Sequence, residues 1–309
     1  MEIEFVSPLN IWYSTILNCP FKLRRGHTII HKDNQMSFLT IDQTLCRQDG
    51  ICAAECPMAI IKWKKGEFPL SADNAPDLCI NCGHCVAVCP HGALTHATLA
   101  PEDCVARDKE LGLSPAQTEH FLRSRRSIRN FREAPVQKET MSEIIRLASY
   151  APSGHNCQPL HWRILNGGNV VKEHTTMVID WMKLMRKENP AMAKAMHLEM
   201  MIKAWKFGVD TVTRNAPTLI LAQGKESNPM APQACTIAMA YLDLAAQSFD
   251  VATCWCGYFL RAAITYPPLA EKLGKNQGLK TYGVMMAGYP RFKYLRLPTR
   301  NAPKISWTE

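Results

Sequence analysis

Cys79, Cys82, Cys85 and Cys89 follow one another at spacings of x2, x2 and x3, and Pro90 comes directly after the last. Thiolates packed that closely along a chain can wrap a cubane iron–sulfur cluster, and this spacing with its trailing proline is an iron–sulfur signature. Paired Cys-x2-Cys units also bind zinc. The triplet and the proline favour the cluster, so the chemistry indicated is electron transfer.

A second, imperfect copy lies upstream: Cys46-x5-Cys52-x3-Cys56-Pro57, with Asp49 where a second cysteine would stand. Its flank repeats too, Met58, Ala59 and Ile60 matching Gly92, Ala93 and Leu94 in apolar character. The pair resembles a two-cluster bacterial ferredoxin, in which the last cysteine of each run ligates the other cluster. That resemblance assigns Cys46, Cys52 and Cys89 to cluster I, with Asp49 as fourth ligand, and Cys79, Cys82, Cys85 and Cys56 to cluster II. A carboxylate is a harder and weaker ligand for iron than a thiolate. Cluster II is therefore expected as [4Fe-4S], and cluster I as [4Fe-4S] or [3Fe-4S]. Asp49-Gly50 also reads as an ordinary turn dipeptide.

A different chemistry is written further on. Arg125-Arg126-Ser127-Ile128-Arg129 offers three guanidinium groups and a hydroxyl to a phosphate, or else a solvated surface run. Ala151-Pro152-Ser153-Gly154-His155-Asn156-Cys157-Gln158 is a turn rich in amides and hydroxyls, and a basic tail carries Lys293, Arg296 and Arg300. In that order these segments resemble the nitroreductase family of FMN enzymes over about residues 115–309, and the whole chain resembles the ferredoxin–nitroreductase fusions.

The resemblance implies that Arg125, Ser127 and Arg129, with Arg126 beside them, grip the FMN phosphate and ribityl chain. It lays Pro152, Ser153, Asn156 and Gln158 along the isoalloxazine. The family's Gly-Leu-Gly-Thr-Cys-Trp stretch stands here as Asp250 to Trp255, followed by Cys256 and Gly257, and its amides would face the flavin. Arg300 is expected as the second phosphate anchor. Asp250 and Ala252 replace two glycines, and Asp tolerates a left-handed backbone better than Ala does. No G-x-G-x-x-G follows a strand, so a Rossmann-bound FAD or NAD is not expected.

At 309 residues and 47% hydrophobic content, two domains with sizeable cores are affordable. Thirteen cysteines, over half of them in metal-ligand spacing, imply a reducing cytoplasm rather than a disulfide framework. No transmembrane run and no signal peptide are read. The formal charge of +9 falls to roughly +4 once two thiolate-bound clusters and a phosphate are counted. That argues against a nucleic-acid partner and leaves room for docking an acidic electron carrier.

The elements that must hold these groups suggest an α+β chain: a two-cluster ferredoxin-like domain, then a nitroreductase-like domain with a central mixed sheet flanked by helices. Residues 1–35 read as an N-terminal extension or mobile tail, 36–100 as the cluster domain, 101–118 as a linker and 119–309 as the FMN domain. Met36 to Asp42 suits a first strand, and Ser114-Pro115 an N-cap and first helical position. Met141, Ile144, Ile145 and Ala148 recur at helical spacing. Leu219 to Leu221 and Tyr282 to Ala287 suit buried strands. Residues 235–249 are apolar on almost every side, which calls for cover all round, by the domain or a second subunit. The methionines from Met182 to Met201 read as core fill, or as a helical excursion with Trp205 over the flavin.

The expected protein is an FMN-dependent oxidoreductase fed through its own clusters, and no catalytic acid or base is nominated. An external donor, ferredoxin- or flavodoxin-like or NAD(P)H, would supply electrons to a small acceptor such as a nitroaromatic or quinone. The same site run in the oxidising direction, or a non-catalytic redox sensor, remains open. A homodimer is expected.

Overall fold

The computed structural model describes residues 38–309, which fall into two compact units. The first comprises the chain up to Gly112 together with Gly154–Cys157, and the second comprises Leu113–Ser153 and Gln158–Glu309. The predicted extension over residues 1–35 lies outside the described residues, as does the start of the predicted first strand. The flavin-family turn is thus divided, its middle belonging with the cluster unit rather than with the 119–309 domain expected for it.

In the first unit, strand β1 (Leu39–Ile41) pairs antiparallel with β4 (Leu94–His96), and β2 (Ile61–Lys62) with β3 (Leu70–Ser71). Three one-turn helices stand between them: α1 (Ile51–Ala54), α2 (Ala75–Leu78) and α3 (His84–Ala87). The repeat is structural as well as sequential, each position of the second copy following its counterpart by 33 residues. Left-handed backbone recurs in register at Gln48 and Asn81, at Gly50 and Gly83, and at Ala59 and Gly92. Gly50 and Gly83, at φ 73° and 72°, turn the chain into α1 and α3 and thereby aim Cys52 and Cys85. A Cβ on Gly50 would stand 2.6 Å from the Trp63 ring, so the turn tolerates no side chain.

This register corrects the flank match read from apolar character. Ala59 answers to Gly92, Ile60 to Ala93 and Ile61 to Leu94, one residue away from the expected pairing. Burial agrees, since Ile60, Ile61, Ala93 and Leu94 all sit in the core.

The second unit opens with α4 (Pro115–Ser124), where Ser114 accepts a hydrogen bond from the Gln117 amide and Pro115 takes the first helical position as expected. Next come α5 (Lys138–Ala148) and β5 (His161–Asn166), then a helical excursion of α6 (Gly168–Glu188), α7 (Pro190–Ala195) and α8 (Leu198–Lys206). Strand β6 (Thr218–Lys225), α9 (Ala231–Ala246), β7 (Ala252–Trp255), α10 (Gly257–Thr265), α11 (Pro267–Lys272) and β8 (Leu279–Gly288) complete it. The sheet order is β5-β6-β8-β7, and all three pairings are antiparallel, where a mixed sheet was expected. The helical connections return the chain so that each described neighbour runs the opposite way.

Both faces of this sheet are covered, which is why its central strands read as unbroken apolar runs. Leu219, Leu221, Val284 and Met286 join the core under the helical excursion, whereas Ile220, Ala222, Met285 and Ala287 join α5 and α9 on the other side. Helix α9 buries Cys235, Ala238, Met239 and Leu242 but leaves Ala240 and Tyr241 exposed, so its own domain covers one face only. Most of the methionine stretch is core fill: Met182 and Met201 are buried, and Met185 packs against them.

Candidate functional site

Two recesses in the first unit collect the cysteines. One is bordered by Cys56, Cys79, Cys82 and Cys85, the other by Cys46, Cys52 and Cys89 with Asp49. The fold thus gathers each expected ligand set, including the cysteine that crosses from the opposite motif. Among the described residues no three His, Cys, Asp or Glu side chains converge closely enough to hold a single metal ion. The thiols of each set border a common recess, the arrangement from which a cluster would be wrapped.

Burial pushes the Cys52, Cys79 and Cys85 thiols up, Cys85 to about 11, and neighbouring thiols of the same recess push in the same direction. Such groups become thiolates when a metal takes the place of the proton. Amides already point at the sulfurs: Asn81 N–H donates to Cys79 Sγ (3.3 Å) and Ala93 N–H to Cys89 Sγ (3.4 Å). Bonds of this kind tune a cluster's potential.

Sequence reasoning missed His96. It is 5% exposed, and its Nε2 lies 3.5 Å from Cys79 Sγ. The Thr98 amide donates to Nδ1 (3.1 Å), so the proton of the neutral ring belongs on Nε2, facing the sulfur. Burial lowers the His96 pKa and favours that neutral form. Its counterpart in the first copy, Trp63, has a buried indole N–H with no hydrogen-bond partner among the described residues.

Asp49 serves the turn as well as the recess, its Oδ1 accepting from the Ile51 amide at 3.1 Å. Arg47 and His91 border the same recess, whereas Phe38, Met58, Ile60 and Ile80 border the other.

In the second unit, a cavity of about 360 Å³ is lined by Arg129, Trp255, Cys256 and Gly257, all four anticipated. Thr211, Arg214, Met196 and Tyr258 also line it. Asp250 adopts φ 53°, as the glycine it replaces could, and Ala252 sits inside β7, where no glycine is needed. Helix α10 begins at Gly257, where an added Cβ would meet nothing within 4 Å. The Thr211 hydroxyl and Arg126 Nε are buried without partners among the described residues.

A smaller cavity of about 140 Å³ is bordered by Ile128, Arg129, Asn130, Phe292, Lys293 and Tyr294. The Phe131–Pro290 bridge and the Arg291 amide, which donates to Asn130 O (3.0 Å), bring the basic tail there. Arg129 thus borders both cavities, and Lys293 borders the smaller one with it. Arg300 is exposed on the C-terminal stretch and lines neither. Arg125 is also engaged elsewhere, with Nη1 3.3 Å from Asp243 Oδ2, and Asp243 accepts from the Thr253 hydroxyl as well.

Pro152, Ser153 and Gln158 line neither cavity; Ser153 Oγ accepts from the Gln158 amide at 3.0 Å. Within the first unit, Asn156 Nδ2 donates to the carbonyls of Asn81 (2.8 Å) and Ile80 (3.3 Å). No cysteine of the second unit is a convincing nucleophile. Burial raises Cys235 and Cys256 to about 12, and Cys256 donates to Val212 O.

Residues 122–289 match the model of the nitroreductase family, and residues 44–94 match that of the 4Fe-4S dicluster domain. A protein of Archaeoglobus fulgidus, provisionally named NADH dehydrogenase/NAD(P)H nitroreductase, is 25% identical over 174 residues, 55% of this chain and 84% of its own. Ferredoxin 7Fe of Hydrogenibacillus schlegelii is 35% identical over 68 residues, 22% of this chain and 82% of its own. A nitroreductase with bound FMN from Bacteroides fragilis shares the fold, with TM-score 0.52 and 21% identity over 62% of this chain and 99% of that one. Since the family model spans more than half of the sequence, this chain belongs to the nitroreductase family and carries a 4Fe-4S dicluster domain ahead of the family domain.

Proposed function

We propose that this protein is an FMN-dependent oxidoreductase that draws electrons through two iron–sulfur clusters and reduces a small conjugated acceptor, such as a nitroaromatic or a quinone. The observation that carries the reading is the union, in one chain, of a nitroreductase-family domain with a 4Fe-4S dicluster domain whose cysteines border two recesses. Bound FMN would supply the conversion of single electrons into a two-electron reduction. Covalent fusion keeps the donor at high effective concentration.

The protein's own part is to hold and to tune. Cys56, Cys79, Cys82 and Cys85 take a four-iron cluster. Cys46, Cys52 and Cys89 with Asp49 take a three- or four-iron one, in keeping with the name of the 7Fe relative. Arg129, Trp255, Cys256 and Gly257 border the place for the flavin ring, while Arg129 and Lys293 present cations to its phosphate, with Arg126 and Ser127 on the same segment. The open cradle at Gly257 and the unpartnered Arg126 Nε fit such a guest. Arg125 acts one step back, its ion pair fixing the segment to α9.

The unit is a homodimer. Pro152, Ser153 and Gln158 do not line the ring cavity of their own chain, and a second copy can bring its turn there. The uncovered face of α9, with Tyr241, gives such an interface apolar surface. The cysteines among the described residues form no disulfide, which suits a reducing cytoplasm. No helix among the described residues is long and apolar enough to cross a membrane.

Anaerobic purification with iron, sulfide and FMN counted tests the assignment, followed by rapid mixing with donors. Reduced viologen or a low-potential ferredoxin should bleach the clusters before the flavin. If NADPH reduces the flavin first and the clusters follow, electrons run the other way. Lys293→Ala and Arg129→Ala should each weaken FMN about tenfold or more while iron is kept, since each removes a charge-assisted bond. Arg300→Ala should retain it. Full flavin retention in the first two would refute the placement.

A further inference from the structure

We infer that the ring cavity selects acceptors bearing a carboxylate, with Arg214 as the group that docks it. This rests on the reading that the cavity houses the flavin.

The turn that presents Arg214 is built at a conformational cost. Arg214 and Asn215 both have left-handed backbones, at φ 57° and 52°, which side-chain-bearing residues seldom adopt. Asp210 compensates. Its carboxylate accepts from the amides of Val212, Thr213 and Asn215, each at 2.9 Å, and from the Thr213 hydroxyl. The Thr213 hydroxyl is tied in turn to Thr175 on α6 (3.0 Å). A buried carboxylate with that many donors holds the turn rigidly, and such over-determined backbone gathers where a site needs a preset side chain.

What the turn presents is a cation without a counter-charge. Neither Arg214 nor Arg129 pairs with a carboxylate among the described residues, yet both line the cavity. Arg129 also borders the smaller recess with Lys293, so it is committed to the phosphate end. Arg214 is left over. Beside it, the buried Thr211 hydroxyl lacks a partner and lines the same cavity. Trp255 and Tyr258 supply flat walls.

A planar fork, a free hydroxyl and aromatic walls together describe a flat conjugated ring carrying a carboxylate. Asp210 does not compete for Arg214, because its oxygens are occupied by the turn itself. The carboxylate of the acceptor would bridge Arg214 and Thr211, leaving the ring to lie along the flavin.

The FMN-loaded protein tests this without turnover, using the flavin's visible band as reporter. Benzoate and benzamide, which share the flat ring and differ in charge, are titrated into wild type and variants. Benzoate should perturb the band and bind about tenfold or more tighter than benzamide, the scale of one charge-assisted contact. Arg214→Gln should erase that preference with FMN content unchanged, and Arg214→Lys should keep part of it. Equal binding of the two probes, no perturbation by either, or a preference that survives in Arg214→Gln would overturn the assignment. So would loss of FMN from Arg214→Gln, which would place Arg214 on the phosphate instead. The functional reading fails separately, on FMN content and cluster-driven reduction of a neutral quinone by wild type.

Discussion

The two copies inside the cluster unit share a backbone and differ in what surrounds it. Both turn through a left-handed residue two places after the first cysteine and again at a glycine, Gly50 or Gly83, and both lend their last cysteine to the other recess. Around the first recess stand Arg47, Asp49 and His91 among Ile41, Pro69, Ala93 and Leu94, so it is the more polar of the two, with a carboxylate where the other has a fourth thiol. Around the second recess stand Phe38, Leu39, Met58, Ile60, Ile61 and Ile80 with four thiols, and Cys79 Sγ receives polar contacts from His96 and the Asn81 amide. Burial and hydrogen bonding around the sulfurs set cluster potentials. On the proposed ligand sets, a duplicated fold yields two unequal electron sites, the first suited to gain and lose an iron and the second to remain intact.

The largest effect should come from removing the crossing ligands. Cys56→Ala lies in the first motif but should abolish cluster II. Cys89→Ala lies in the second but should abolish cluster I. Iron content would fall by about half in each variant, and EPR would identify the survivor. If each variant instead lost the cluster of its own motif, the exchange between halves would be wrong.

A smaller effect concerns Asp49. Mild air oxidation of wild type should produce a three-iron EPR signal from cluster I while cluster II persists, because iron held by a carboxylate leaves first. Asp49→Cys should suppress that signal and make the copies alike. The substitution also removes the acceptor for the Ile51 amide, a loss of roughly 1 kcal/mol of local stability. Wild type that never shows a three-iron species would erase the chemical difference between the halves.

The grouping of the cysteines into two sets was legible because it lies in local spacing, which survives without knowledge of the fold. The flank register was misread although Cys56-Pro57 and Cys89-Pro90 already set the offset: apolar character is shared by Met58, Ile60, Ala93 and Leu94, whereas backbone handedness at Ala59 and Gly92 agrees with the cysteine frame. Phosphate cations followed the same pattern. Arg129 belongs to a compact segment, but the placing of Lys293 rather than Arg300 beside it depends on the long-range bridge between Phe131 and Pro290. Arg214 was invisible because its importance comes from a turn that Asp210 fixes. The pattern Asp210-x-Val212-Thr213-x-Asn215 was the available signal, and it resembles any Asx-rich loop. The divided strands and helices of the second unit were legible where burial was two-sided, as in β6 and β8. Helix α9 was legible as a helix with apolar residues on every side, but how much of it the domain itself covers was not, since Ala240 and Tyr241 stay exposed.

The finest difference between the copies is one hydrogen bond, and it sharpens the comparison most. His96 and Trp63 occupy equivalent positions, but only the imidazole reaches a ligand sulfur, with its tautomer fixed by Thr98 and its ring packed edge-on to Phe38 at 4.8 Å. An N–H aimed at a thiolate stabilises the more negative, reduced cluster over the oxidised one. Removing it by His96→Leu should move cluster II to a more negative potential, leaving cluster I unchanged as internal control. A neutral hydrogen bond worth about 0.5–1.5 kcal/mol corresponds to roughly 20–60 mV for a one-electron couple. His96→Gln, which keeps a donor, should recover part of the shift, whereas a purely packing role would leave both variants equally displaced. EPR-monitored redox titration resolves the two clusters. A cluster II potential that stays put in His96→Leu would show that the unequal shells, and not this contact, separate the halves.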